Sequence, residues 1–268
     1  MRALLVLVLL GCGGGGDAGP NPNSTVPLSW HAGERTAAIF VDRQAKNPAT
    51  LEDDRCGLFL QLGEATADGQ VPRTDAEGPC IVTDAEIEFR GQPGIAPFCG
   101  GTLQVQLGGF DQTLTVCETI PDRIELDCAD VDAGPAMRIV SRAGETTDDV
   151  LGDSDVTHNR GRVLDLQSPE PQGDGTALWP EGELLLGWGG SGGSSVEIVL
   201  RARDGGGPAV RCFVDDTGSF VVPERLASMY RGQIATVEVA RVTQTVFDDN
   251  GVEVRISDRI SDAVWLFP

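Results

Sequence analysis

The residues in this chain whose types could do chemistry are mostly acidic. In Val214-Asp215-Asp216-Thr217-Gly218-Ser219 a pair of carboxylates precedes a glycine turn. A carboxylate placed like Asp216 works as an acid or base when a second carboxylate shares its proton, because two like charges that close cannot both ionise. The same residues also suit a tight turn between strands at Arg211 to Val214 and Ser219 to Val222. Asp148, Asp149, Asp153 and Asp155, and separately Asp248, Asp249 and Asn250, gather oxygen ligands of the kind calcium takes from loops. No EF-hand spacing or repeated Asp motif organises them, and solvated loop carboxylates explain them equally. The two histidines, His31 and His158, have no histidine or cysteine at ligand spacing, so no zinc or iron site is expected. Lys46 is the one lysine, which argues against Schiff-base chemistry. Trp30, Trp179, Trp188 and Trp265 include candidates for a sugar platform, although burial in a core is the default for tryptophans that end apolar runs.

Two of these segments are similar to family motifs. Asp216-Thr217-Gly218-Ser219 resembles the catalytic loop of pepsin-like and retroviral aspartic proteases, which implies a proton-sharing role for Asp216. No second Asp-Thr-Gly or Asp-Ser-Gly occurs, so the resemblance requires a homodimer, and Asp215 stands where that family prefers an apolar residue. Gly189-Gly190-Ser191-Gly192-Gly193 matches the Gly-x-Ser-x-Gly pattern of α/β-hydrolases. Both histidines precede it, whereas that family places its histidine afterwards, so a flexible turn is expected. The chain is therefore expected to be a binding or surface-structural module without catalysis, metal or cofactor; the alternatives are a hydrolase, with Asp216 as the one residue to test, and a calcium-stabilised adhesin or carbohydrate-binding module.

The N-terminus sets the compartment. Arg2, the apolar run from Ala3 to Leu10 and Gly11 before Cys12 form a charged, apolar and small-residue series. This describes an export signal, since spanning a bilayer takes about 20 apolar residues. Leu9-Leu10-Gly11-Cys12 resembles the lipobox of bacterial lipoproteins, which implies cleavage after residue 11, acylation of Cys12 and attachment to the cell envelope. Gly13 after the cysteine resembles the outer-membrane class. From 12 to 27 the chain is rich in Gly, Pro and Asn and too poor in apolar surface to offset its ordering entropy, so a disordered tether is expected.

Six further cysteines, Cys56, Cys80, Cys99, Cys117, Cys128 and Cys212, suit disulfides in an oxidising compartment. The turn signal Ile120-Pro121-Asp122 between two strand-like runs favours a Cys117 to Cys128 bridge. Either Cys212 links the two halves or one thiol stays free. A net charge of −21 argues against nucleic acid, whose affinity comes largely from Lys and Arg on phosphate. It also argues against an electrostatic grip on anionic lipid. Expected partners are the membrane, through the lipid, and an envelope protein or glycan.

The elements carrying these residues read as strands. Leu103, Val105 and Leu107, then Ile87 and Phe89, then Val252, Val254 and Ile256 alternate with polar residues, the period of half-buried antiparallel strands. Turn clusters such as Ala67-Asp68-Gly69 and Asp248-Asp249-Asn250-Gly251 separate them. Only Pro223 to Tyr230 reads as helical. The polar stretch from Gly144 to Asp174 marks a boundary near residue 160. The expected architecture is all-β, with two antiparallel β-sandwich-like domains, at 28–160 and 161–268, after the tether. Leu184-Leu185-Leu186-Gly187-Trp188 and the following Val196 to Leu200 run resemble the early strands of fibronectin type III and immunoglobulin-like sandwiches. This implies that Trp188 lies in the core.

Overall fold

The computed structural model describes residues 29–44, 54–70, 73–84, 95–96, 101–115, 124–144, 151–189, 195–203 and 207–268. Cys12 and its tether, Lys46, the 87–89 alternation, Cys99, Cys117, Asp148, Asp149 and the loop 190–194 lie outside the described residues.

The chain is almost all β, as the alternation predicts. Its largest sheet runs β10 (Ile124–Leu126), β3 (Arg55–Ala65), β2 (Arg35–Gln44), β20 (Val252–Phe267), β19 (Ala235–Asp249), β16 (Ser195–Ala202), β17 (Pro208–Asp215), β6 (Cys80–Asp84) and β5 (Arg73–Glu77). Two short strands join it, β7 (Ile95–Ala96) on β3 and β14 (Thr176–Leu178) on β20. A four-stranded sheet is ordered β12 (Ser154–Asn159), β11 (Ala136–Arg142), β8 (Thr102–Leu107), β9 (Phe110–Thr115). A three-stranded sheet is ordered β13 (Asp165–Ser168), β15 (Leu184–Gly189), β18 (Ser219–Val222). The short strands β1 (Ser29–Trp30) and β4 (Gly69–Gln70) pair with each other. Pairing is antiparallel except where β2 and β14 lie parallel to β20.

The spine is the β19–β20 hairpin. Asn250 and Gly251 both adopt positive φ at its tip, 58° and 79°, the geometry that makes Asn-Gly the strongest hairpin signal. Val252 to Ile256 and Ala263 to Phe267 read in the sequence as separate strands, but β20 is one strand of 16 residues. Period two puts Val252, Val254 and Ile256 on the same face as Val264 and Leu266. The first three enter one core with Leu103, Val105, Met137 and Ile139 from the four-stranded sheet. The last two enter a second core with Leu166, Leu184, Leu186 and Trp188 from the three-stranded sheet. Two sandwiches thus sit side by side on one long sheet, with Trp188 in the core. Each core also takes a segment from across residue 160, Cys80 and Val82 of β6 in one and Val252 to Ile256 of β20 in the other.

The large sheet cannot be flat. Ala65 ends β3 and Arg73 begins β5 eight residues later, a reach of at most about 29 Å. Seven strand steps separate these strands, which in a flat sheet would take about 34 Å. The sheet therefore curls, and its face opposite the two cores turns inward. Glu197, Arg211, Glu238, Ser257, Arg259 and Ser261 are all buried there.

Disulfides join Cys56 to Cys128 and Cys80 to Cys212. The first corrects the expected Cys117 to Cys128 bridge. The segment after Leu126 does not continue as a strand, because Asp127 caps a short helix, α1 (Cys128–Ala133), by accepting from Ala129 N. Since β10 pairs with β3 at Leu126 and Cys56, Cys128 emerges beside Cys56. The second bridge takes the option in which Cys212 links the halves, through the adjacent strands β6 and β17. The expected short helix after Pro223 is present as α2 (Glu224–Ala227), continued by a 3-10 turn at Ser228–Tyr230.

Candidate functional site

Between the two apolar stretches of β20 lies Ser257-Asp258-Arg259-Ile260-Ser261-Asp262, and here the ionisable side chains of the fold converge. On the core face, Asp258 is fully buried and accepts from Arg160 Nε at 2.8 Å and Gly161 N at 3.2 Å. Arg160 also donates to the carbonyls of Val131 and Gly134. Burial pushes the Asp258 carboxyl up, against the pull of Arg160. On β19, Arg241 holds Asp216 with Nε to Oδ2 at 2.8 Å and Nη2 to Oδ1 at 3.3 Å. Its Nη1 donates to the carbonyls of Arg162 at 2.9 Å and Val163 at 3.1 Å. The segment 160–163, which passes from β12 to β13 and so from one sandwich to the other, is thereby clamped to the hairpin at both ends. Asp262 adds a hydrogen bond from Leu166 N at 3.0 Å, and its carboxyl too is raised by burial.

His158 belongs to the same joint. Its Nδ1 lies 2.9 Å from Thr245 Oγ1 and its Nε2 3.2 Å from Thr243 Oγ1. A neutral ring satisfies both hydroxyls, with one nitrogen donating and the other accepting. Burial, with Arg160 nearby, drives its pKa down to about 4.

On the opposite face a second set centres on Arg259. Its Nη1 donates to Glu238 Oε1 at 2.6 Å and Asp42 Oδ1 at 3.2 Å, and its Nε to Glu197 Oε2 at 3.0 Å. Arg211 Nη1 lies 3.2 Å from Glu197 Oε1. Glu238 likewise has a second cation, Arg201, whose Nη2 lies 3.9 Å from its Oε2. Burial raises Asp42 to about 6 despite Arg259. Burial also pushes Glu238 up, but Arg259, Arg201 and the Ser261 hydroxyl together outweigh it and leave Glu238 at about 2.

The residues singled out in the sequence are placed differently from a catalytic site. Asp216 directly follows β17, and both of its oxygens are engaged, one with Arg241 and the other with Arg241 and with Trp188 Nε1 at 2.8 Å. A carboxylate so held has both oxygens occupied by donors and no face open to a second carboxylate. The aspartic-protease resemblance is therefore corrected to an ionic anchor at a turn. Among the described calcium candidates, Asp155 pairs with Arg138 and Asp249 accepts from Ser141 and Ser154. Asp153 accepts from Ala143 N, and Asp248 accepts from Gly251 N. Among the described residues no three His, Cys, Asp or Glu side chains converge as a metal site. Of the tryptophans, Trp188 is core, Trp179 Nε1 donates to Gln233 O, and Trp265 lies beneath the Arg203 guanidinium. His31 is exposed, 3.6 Å from Asp68.

Asp42, Arg160, Glu197, Glu238, Arg241, Asp258 and Arg259 carry no motif that marks them in the sequence. A signal was present for two of them. Arg241 continues the core-facing series Ala235, Val237, Val239, and Asp258 continues Val254, Ile256, so a charge occupies a position where the period demands an apolar residue.

No protein-family model and no curated protein sequence matches the chain. Solved structures are similar at low scores, three of them as follows. One, from a 1.5-MDa bacterial ice-binding adhesin studied for its host cell surface retention, has 8% identity and a TM-score of 0.21 over 88% of this chain and 66% of that one. The chicken interferon gamma receptor alpha chain has 14% identity and a TM-score of 0.21, covering 86% of this chain and 97% of that one. A calcium-stabilised adhesin with which an Antarctic bacterium binds ice has 13% identity and a TM-score of 0.20, covering 86% and 48%. The chain thus spans just under two thirds of the first and about half of the third. Likeness of this size carries no functional argument.

Proposed function

We propose that this chain is a lipid-anchored, extracytoplasmic β module that binds an envelope protein or glycan, or forms part of a surface structure, and does no catalysis. One observation carries the reading: the ionisable side chains that converge on the core face of the β19–β20 hairpin, Asp258 with Arg160 and Arg241 with Asp216, are engaged in holding the link between the two sandwiches to that hairpin. Asp216, the residue closest to a catalytic motif, is held by Arg241 and Trp188. A joint of this kind fixes the spacing and orientation of two lobes, which suits a spacer or a binding platform. Two disulfides support an oxidising compartment. Among the described residues no helix is long and apolar enough to cross a membrane; the lipobox-like Leu9-Leu10-Gly11-Cys12 is what supports attachment through an acylated Cys12 in this reading.

Intact mass spectrometry of membrane-extracted protein, before and after reduction, tests this. The expected mass lacks residues 1–11, carries acyl chains on Cys12, and rises by about two daltons per disulfide on reduction. An unlipidated mass with free thiols overturns both the anchor and the compartment.

A further inference from the structure

The first long strand of the chain and its last lie side by side and point the same way. Thr36 to Gln44 of β2 pair with Glu253 to Ser261 of β20 in nine successive parallel register positions. The chain enters this joint at Arg35, beside the hairpin tip, and leaves at Phe267, at the far end of β20. Tension applied between the two ends therefore pulls β2 toward the tip and β20 away from it, along their common axis.

We propose that this chain is a force-bearing element, in which the parallel β2–β20 joint carries tension applied between the N-terminal tether and the C-terminal end of β20. Opposed forces along paired strands load every hydrogen bond of the ladder together, whereas forces applied at neighbouring strand ends open the bonds one at a time. The parallel arrangement of the terminal strands gives the first case.

The joint is also reinforced across the same two strands. Arg259 of β20 donates to Asp42 of β2 at 3.2 Å, and Ser261 Oγ to Arg43 O at 3.4 Å, all buried. On the core face Ala37 and Ile39 of β2 pack with Val254 and Ile256 of β20. β20 cannot slip alone, because 15 register positions tie it to β19 and the parallel strand β14 pairs with its last residues. The disulfides lie off this path and limit what a failure releases. With Cys80 bonded to Cys212 across 132 residues, the intervening chain cannot extend. Failure of the oxidised protein then frees about 100 residues, or about 350 Å, against about 230 residues and about 800 Å when reduced.

The inference rests on the anchored reading for the source of the load, but its test does not. Residues 13–268 are pulled in a single-molecule force instrument in two geometries. One uses handles at the N- and C-termini. The other uses the N-terminus and a thiol at the hairpin tip, Asn250→Cys, which puts both forces at the same end of the β2–β20 ladder. At equal pulling rate, end-to-end rupture is expected at several-fold higher force than tip pulling, with the oxidised and reduced extensions above. Rupture forces within about twofold of each other overturn the proposal, whatever the mass measurement says about lipid. Should Asn250→Cys fail to fold, Asp248→Cys supplies the same geometry.

Discussion

His158 and Asp42 make opposite demands on protons, and their opposition can be measured. His158 titrates near 4 in the fold against an ordinary value of 6.5. As pH falls from 6.5 to 4 the unfolded chain takes up a proton that the native chain refuses, so stability is lost across that window. The difference corresponds to roughly 3 kcal/mol. Asp42 titrates near 6 in the fold against 3.8. As pH falls through 6 the native chain takes up a proton that the unfolded chain refuses until about 4, so stability is gained, again by roughly 3 kcal/mol. The two nearly cancel, and the raised carboxyls of Asp258 and Asp262 add to the gain on acidification. The wild-type protein is thus expected to hold its stability from pH 7 to 5. Below 4.5 protonation in the unfolded state acts against Glu238, whose folded value is about 2, and stability falls. Urea unfolding of the oxidised protein, followed by tryptophan fluorescence from pH 7 to 4, isolates each group as a difference from wild type. Relative to wild type, Asp42→Asn should lose roughly 3 kcal/mol between those limits and His158→Gln should gain a similar amount. Difference curves flat to within about 1 kcal/mol, or of the opposite sign, would refute the buried placement of these groups.

The same joint and its disulfides respond to substitution. Asp216→Ala leaves Arg241 buried without its carboxylate and is expected to cost about 3–5 kcal/mol in chemical denaturation, whereas a surface carboxylate at a simple turn would cost almost nothing. Replacing Cys80 and Cys212 together with serine removes a 132-residue closure and should cost about 5 kcal/mol, against about 4 for the 72-residue closure of Cys56 and Cys128; equal midpoints for the two double variants and the wild type would sink the assigned connectivity.

Much of the local structure was legible because it is set by residues near one another in sequence. The alternation at Leu103, Val105 and Leu107 reappears as β8 with those three residues buried. Asp248 to Gly251 forms the hairpin tip, Pro223 opens a short helix, and Trp188 lies in a core. The Val196 to Leu200 run lies within β16, and Ser219 to Val222 is β18 with the same limits.

What the sequence determined, then, was the β class, the turns, the acidic surface and the residues able to fill a core, because period two and turn chemistry act over a few residues. Partnership was decided only in three dimensions. Ser257 to Asp262 breaks the apolar pattern and reads as a gap between two strands, yet it is the middle of β20. Its charges are tolerable there because Arg160, Glu197, Glu238 and Asp42, from 20 to more than 200 residues away, arrive beside them. Cys128 likewise reads as the neighbour of Cys117, but the antiparallel pairing of β10 with β3 carries it to Cys56. Burying a charge is unfavourable unless its partner is in place, and the partner's place is a property of the folded sheet, which no local run of residues records.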